Sequence, residues 1–224
     1  MRFRTVVFDV NETLSDTSAM GGRFADVGAP EHLGQLWFTS VLRDGFAVTV
    51  AGDQQPFAVI GEQVLRGVLA SVPLNRDVDA AVDHVMAGFG ELPTHPDVVD
   101  GIRRLRASGR RLMTLSNGST SVAEALLTKA GIADHFDQLL SVEDAEVWKP
   151  GAGAYRYAAQ RCGESIGDML LVAVHPWDVN GAARAGMATA WVNRSGAPYP
   201  GFFARPDVSV ADLRDLVAAL DAVE

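Results

Sequence analysis

Residues Thr5 to Phe8 form a short run of β-branched and aromatic side chains that stops at Asp9 and the turn-prone pair Asn11-Glu12, the pattern of a buried strand followed by a loop. From Ser15 to about Gly90 the period changes. Apolar residues recur at helical spacing in Leu33, Leu36, Trp37, Val41 and Leu42, then in Phe57, Ile60, Val64, Leu65 and Val68, then in Val78, Val82, Val85 and Met86. None of that stretch reads as a parallel strand. Beyond Pro93 and Pro96, strand and helix alternate: helix 97–108, strand 111–115, helix 120–130, strand 138–141, helix 151–162, strand 169–174, helix 177–186, strand 188–192 and a last helix 211–222. Such alternation implies a parallel sheet with helices on both faces. The chain reads as an α/β protein with a Rossmann-like core, residues 1–15 and 92–224, interrupted after its first strand by an all-helical cap at 16–91.

Composition narrows the partners. With 224 residues, 48% hydrophobic and 21% charged, the chain can bury a sizeable core. A net charge of -9 with no basic run repels phosphate backbones and anionic lipid, so neither nucleic acid nor membrane is an expected partner. Cys162 is the only cysteine. No internal disulfide and no cysteine-ligated metal site can form, which suits a reducing cytoplasm. The apolar run after Met-Arg-Phe-Arg is too short for a signal peptide or a spanning helix, so no targeting segment is expected.

In an open parallel sheet, ligands bind beyond the carboxyl ends of the strands. Four polar stretches fall there: Asp9 to Thr13, Ser116-Asn117-Gly118, Lys149-Pro150, and His175 to Asp178. A carboxylate such as Asp9 can attack an electrophilic centre and form an ester, splitting one hard displacement into two easier steps. Such a nucleophile must be kept ionised and in line. Lys149 supplies positive charge, and amides of the turn at Val10 to Thr13 are candidate donors to the carboxylate. Of 19 basic residues 17 are arginine, so a lysine kept at position 149 points to a need for a compact point charge. Ser116 and Asn117 precede a helix whose amides face the loop, an anion site or simply a cap. His175 reads as either a general base or a filler, and Asp178 as a partner of Lys149, a helix cap, or both. His32, His84, His95 and His135 show no metal-ligand spacing.

The four stretches, in order and spread over the whole chain, resemble the motifs of the haloacid dehalogenase-like superfamily. The similarity is greatest to its type II, or L-2-haloacid dehalogenase, branch. Phe8-Asp9-Val10-Asn11-Glu12-Thr13-Leu14 matches that branch's first motif, Leu115 to Ser119 its Leu-Ser-Asn-Gly-Ser, Lys149, Pro150 and Tyr155 its third, and Trp177-Asp178 its fourth; Trp191 to Gly196 also looks like the branch. The resemblance implies catalytic roles for Asp9, Thr13, Ser116, Lys149, His175 and Asp178. It implies substrate contacts from Val10, Asn11, Phe38, Ser116, Asn117, Tyr155 and Trp177.

It further implies a hydrolase that converts a small 2-haloacid to a 2-hydroxy acid through an aspartyl ester, without cofactor or metal. A homodimer, common in the branch, would use an apolar cap surface around Trp37. Most superfamily members are magnesium-dependent phosphatases with a second aspartate two residues after the nucleophile and an acidic metal ligand in the last motif. Here those places hold Asn11 and Ala173. An amide cannot protonate a leaving alkoxide, and Asp9 with Asp178 alone leaves magnesium short of oxygen ligands. Three departures from the branch stand out: its cap arginine, in a Leu-Trp-Arg context, is replaced in Leu36-Trp37-Phe38, so that either Arg43 substitutes from the next turn or Phe38 signals a different substrate; its usual serine is replaced by Ala173; and its usual asparagine is replaced by His175. Ring opening of a strained cyclic amino acid, as in azetidine-2-carboxylate hydrolases, is an alternative within the same chemistry. A catalytically silent binding protein on the same fold is an alternative outside it.

Overall fold

The computed structural model describes residues 3–223; Met1, Arg2 and Glu224, the outermost positions of the expected core, lie outside it. The first strand, β1 (Thr5–Phe8), is wholly buried. It pairs in parallel with β2 (Arg111–Ser116) on one side and β4 (Met169–Ala173) on the other. β3 (Gln138–Ser141), β5 (Ala188–Val192) and β6 (Val208–Val210) extend the sheet to the order β3-β2-β1-β4-β5-β6. That is the order in which the chain reverses direction at β1 and opens a crevice beyond the carboxyl ends of β1 and its neighbours.

Strand alternation sends successive side chains to opposite faces. Val6, Phe8 and Val10 join Leu112, Leu170 and Val172 against α5 (Val98–Ala107), α6 (Thr120–Lys129) and α9 (Leu216–Asp221). Val7 joins Leu115 and Leu171 on the opposite face, against α7 (Ala152–Cys162) and α8 (Pro176–Ala185). The same apolar cluster runs on into α1 (Met20–Asp26), α2 (Leu33–Val50), α3 (Phe57–Leu69) and α4 (Val78–Gly90) through Phe24, Trp37, Leu65 and Val85. These four consecutive helices pack on one another. Where the chain enters and leaves them, Ser15 bridges Thr94, Asp16 N donates to Pro93 O at 2.8 Å, and His95 N donates to Leu14 O at 3.0 Å.

Two expectations need correction. The stretch read as one helix at 211–222 is a 3-10 turn at Leu213–Asp215 followed by the shorter α9, and strand β6 before it went unread. A three-residue strand offers too few positions to show a period, and β6 exists because Asn193 N donates to Val210 O at the edge of the sheet. Trp37, expected on an open apolar surface, is fully buried. Its indole Nε1 donates to Gly61 O at 2.8 Å, and Phe89 packs edge-on against it at 5.4 Å. Among the described residues no helix is long and apolar enough to cross a membrane.

Candidate active site

Asp9 follows β1 with the parity of Val7, so its side chain turns towards α7, α8 and the four-helix segment. It is 3% exposed, and its two oxygens meet different partners. Oδ1 accepts from Lys149 Nζ at 2.8 Å; Oδ2 accepts from Thr13 Oγ1 at 2.7 Å and lies 3.1 Å from His175 Nδ1. Thr13 Oγ1 in turn accepts from Val174 N at 3.1 Å, tying the loop after β1 to the end of β4. Burial alone would raise the Asp9 pKa, but the charges of Lys149 and His175 and their hydrogen bonds outweigh it and hold the carboxyl well below the usual range. The group is an anion throughout the physiological range.

Lys149 is fully buried. Burial pushes its pKa down, yet the opposing charges of Asp178 and Asp9 push it up by more, so the ammonium persists. Its Nζ donates to Asp178 Oδ2 at 2.7 Å, and Tyr155 Oη donates to Asp178 Oδ1 at 2.6 Å. Tyr155 reaches that position because Gly181 on α8 lacks a side chain: a Cβ there would lie 2.5 Å from Tyr155 Oη and 2.6 Å from Pro150 Cβ. Burial and the adjacent Asp178 raise the Tyr155 pKa well above normal, so the phenol stays a donor. Asp178 is the partner of Lys149, while the cap position of α8 belongs to His175, with Pro176 opening the helix.

The turn after β2 serves the same lysine. Asn117 Oδ1 accepts from Lys149 N at 2.9 Å and its Nδ2 donates to Lys149 O at 3.2 Å. Asn117, expected to meet the substrate, therefore spends its amide holding the Lys149 backbone. Ser116 Oγ accepts from Gly118 N at 2.9 Å, and Ser141 Oγ donates to Gly118 O at 2.9 Å. A Cβ on Gly118 would lie 3.4 Å from Ser116 Oγ and 3.7 Å from Asn11 Nδ2, so Asn11 and Ser116 flank one point of the crevice. Val10, also expected to contact substrate, points the other way into the core, and its carbonyl accepts from Leu14 N and Ser15 N. The one-residue parity of a strand end sends the Val10 side chain to that face.

The side of Asp9 facing the helices holds the residue the motifs overlooked. Glu12 has a left-handed backbone, φ 61°, uncommon for a residue with a side chain. Its Oε2 lies 2.8 Å from His175 Nε2, and Thr17 Oγ1 donates to its Oε1 at 3.1 Å. His175 is thus gripped at both ring nitrogens by carboxylates. Burial lowers its pKa, but hydrogen bonds and charge from Asp9 and Glu12 prevail and push it up to about 9. The resting ring is an imidazolium, neither a free base nor a filler. Trp177 stacks on it at 4.9 Å and Phe38 at 6.5 Å. Sequence reasoning weighed Asn11 in that loop and passed over Glu12, although Glu12 lies only three residues after the nucleophile.

Two cavities open beside these residues. One of about 350 Å³ is lined by Glu12, Phe38, Gln35 and Phe89, the other, about 400 Å³, by Glu12, His175, Arg194 and Trp191. Arg43, a turn away from the place of the branch's cap arginine, faces neither: its side chain is 70% exposed and pairs with the adjacent Asp44.

An ionised carboxylate at a strand end, set between a buried ammonium and a histidine that borders a cavity, defines a class: a Rossmann-like hydrolase working through a carboxylate nucleophile. Residues 3–186 match the family model of the haloacid dehalogenase-like hydrolases, and the chain belongs to that family. It is 31% identical over 215 residues to an (S)-2-haloacid dehalogenase of Pseudomonas sp. (strain YL), covering 95% of this chain and 92% of that protein. Its fold matches the crystal structure of the L-2-haloacid dehalogenase RSc1362 with a TM-score of 0.91 and 30% identity, over 98% of this chain and 99% of the other. An L-2-haloacid dehalogenase from Xanthobacter autotrophicus with chloropropionic acid covalently bound superposes with a TM-score of 0.88 at 25% identity, over 99% and 100% of the two chains.

Proposed function

We propose that this chain is a 2-haloacid dehalogenase, converting a small 2-haloacid to the 2-hydroxy acid and halide. The observation that carries the reading is the Asp9 carboxylate held 2.8 Å from the buried Lys149 ammonium. Asp9 attacks the carbon bearing the halogen with inversion, and the halide departs. The substrate carboxylate takes the crevice beside Ser116 and Asn11, where Ser116 offers its hydroxyl proton. Water then cleaves the ester at the Asp9 carbonyl and regenerates the carboxylate.

Magnesium does not fit these residues: Lys149 Nζ already bridges Asp9 and Asp178, the carboxylates a divalent cation would need, and position 173 is alanine. The division into a core of 1–15 and 92–224 and a helical cap of 16–91 is part of the proposal, supported by the paired entry and exit segments at Ser15 and Thr94. A cytoplasmic setting is likewise proposed, on the strength of a single cysteine.

Single turnover of 2-chloropropionate in oxygen-18 water tests the ester route. Label is expected in the Asp9 carboxylate, and label confined to the product would rule the ester out. Ring opening of a strained cyclic amino acid is the second reading, favoured by an Arg43 that turns to solvent and leaves that side without the expected halide-binding cation. Halide release from 2-haloacids against ring-opened product from azetidine-2-carboxylate separates the two.

A further inference from the structure

We propose that the acid processed at this site carries a cationic group at its far end, an ammonium on a short aliphatic stem, which is seated in the 350 Å³ cavity beside α1 and α2 and pairs with Glu31. This rests on the dehalogenase reading above and narrows its substrate class.

The cavity begins one ring beyond the reacting group. Glu12 and Phe38 both line it, and both meet His175, whose Nδ1 lies 3.1 Å from Asp9 Oδ2. Glu12, Thr17 and Gln35 also line the 400 Å³ cavity that His175 borders, so the two spaces adjoin along those residues. Asp9 lines neither, and the volume is therefore additional to the space in which carbon meets the nucleophile. A molecule the size of 2-chloropropionate displaces no more than about six waters, about 180 Å³. A chain that continues past the halogen-bearing carbon has somewhere to go.

The walls determine what that chain ends in. Met20, Phe38 and Phe89 form an apolar side that suits an aliphatic stem, and Ser18, Glu31 and Gln35 form part of a polar side. Gly21 and Gly34 contribute only backbone, and a Cβ on Gly21 would lie 3.7 Å from Glu31 Oε2, which sets that carboxylate at the wall. Glu12 is already committed to His175 and Thr17. Ser18, Glu31 and Gln35, by contrast, have no side-chain hydrogen bond or ion pair to any of the described residues. No lysine or arginine is among the described residues that line the cavity, and Arg43 on α2 faces solvent with Asp44. The unspent charge here is thus negative. A second carboxylate on the substrate would be repelled, whereas an ammonium would meet Glu31, give its remaining protons to the oxygens of Gln35 and Ser18, and lie against the Phe38 and Phe89 rings.

Halide release is measured on a matched set of racemic acids: 6-amino-2-chlorohexanoate, 2-chlorohexanoate and 2-chloroadipate, with 2-chloropropionate as reference. In the native chain kcat/KM is expected to be about 5-fold higher for the ammonium tail than for the methyl tail, and lower by a similar factor for the carboxylate tail. The difference lies in KM, because the tail pairs alike before and during the displacement. Glu31→Gln removes the preference, and Glu31→Lys reverses it in favour of 2-chloroadipate. Each preference is a ratio within one protein, so the amount of folded variant does not enter. Asp83→Asn, which removes an exposed acid of α4, keeps the native preference and controls for net charge. Equal kcat/KM for ammonium and methyl tails, or a preference that survives Glu31→Gln or vanishes in Asp83→Asn, overturns the assignment. Absence of halide from all four acids, 2-chloropropionate included, overturns the dehalogenase reading itself, a separate failure.

Discussion

The two oxygens of Asp9 open onto unlike surroundings. Behind Oδ1 lie Lys149, Asp178 and Tyr155, almost wholly buried, each polar group answered by another inside the protein. Behind Oδ2, past the buried Thr13, lie His175 and Glu12, partly exposed and bordering cavities. The closed side is made of residues that match the dehalogenase motifs position by position. The open side holds the departures, His175 and Phe38. The comparison teaches that the Asp9 anion is held from both sides, by Lys149 within the protein and by His175 at the wet side, where this chain departs from the branch.

Removing the ammonium tests the closed side most severely. Lys149→Met leaves the buried Asp178 without a cationic partner and Asp9 with His175 alone, and roughly 3–5 kcal/mol of stability is expected to go. Halide release should fall by at least about 100-fold. Urea denaturation and a halide assay read both, and a variant of native stability would show the pair to be ornamental. Gly181→Ala strikes the same side through packing, because its methyl needs the space of Tyr155 Oη and Pro150. A loss of about 1–3 kcal/mol is expected, measurable as a lowered denaturation midpoint.

The open side is expected to answer to pH instead. His175 rises from 6.5 to about 9 on folding, so its contribution to stability is fully present below about pH 6.5 and disappears as pH rises through about 9. Thermal unfolding across that range should show the decline in the native chain and a flatter profile in His175→Gln; an unchanged slope would detach the imidazolium from folding. Asp9, depressed, loses its contribution only as the solution becomes strongly acidic. The smallest effect belongs to Arg43→Gln. With its guanidinium in solvent, stability should move by less than about 0.5 kcal/mol and halide release should stay at the native level. A large fall in turnover would mean that α2 brings Arg43 to the substrate.

The difference between the two sides also explains what could be read from the residues alone. Asp9, Thr13, Lys149 and Asp178 were legible because each lies close to the end of an element whose period is strong, and parallel topology gathers strand ends; Tyr155, inside α7, stood out only through the family resemblance. Strands β1 to β5 were legible for the same reason. β6 was not, since Val208-Ser209-Val210 becomes a strand only through pairing with β5. Asn117 was assigned to the substrate, and Glu12 was left out, because spacing locates a backbone but not the direction of a side chain. The partners of both are fixed by residues 32 and 163 positions away.

One neighbour of the lysine carries a mechanical corollary. Trp148, the residue before Lys149, reaches into the helical segment: its Nε1 donates to Gln55 O at 2.9 Å, it stacks on Phe57 at 5.9 Å, and a Cβ on Gly45 would lie 2.3 Å from its ring. The indole thus ties α3 and the segment before it to the peptide bearing the ammonium. The seating of α2 and α3 on the sheet and the position of the buried ammonium are therefore joined through a single tryptophan.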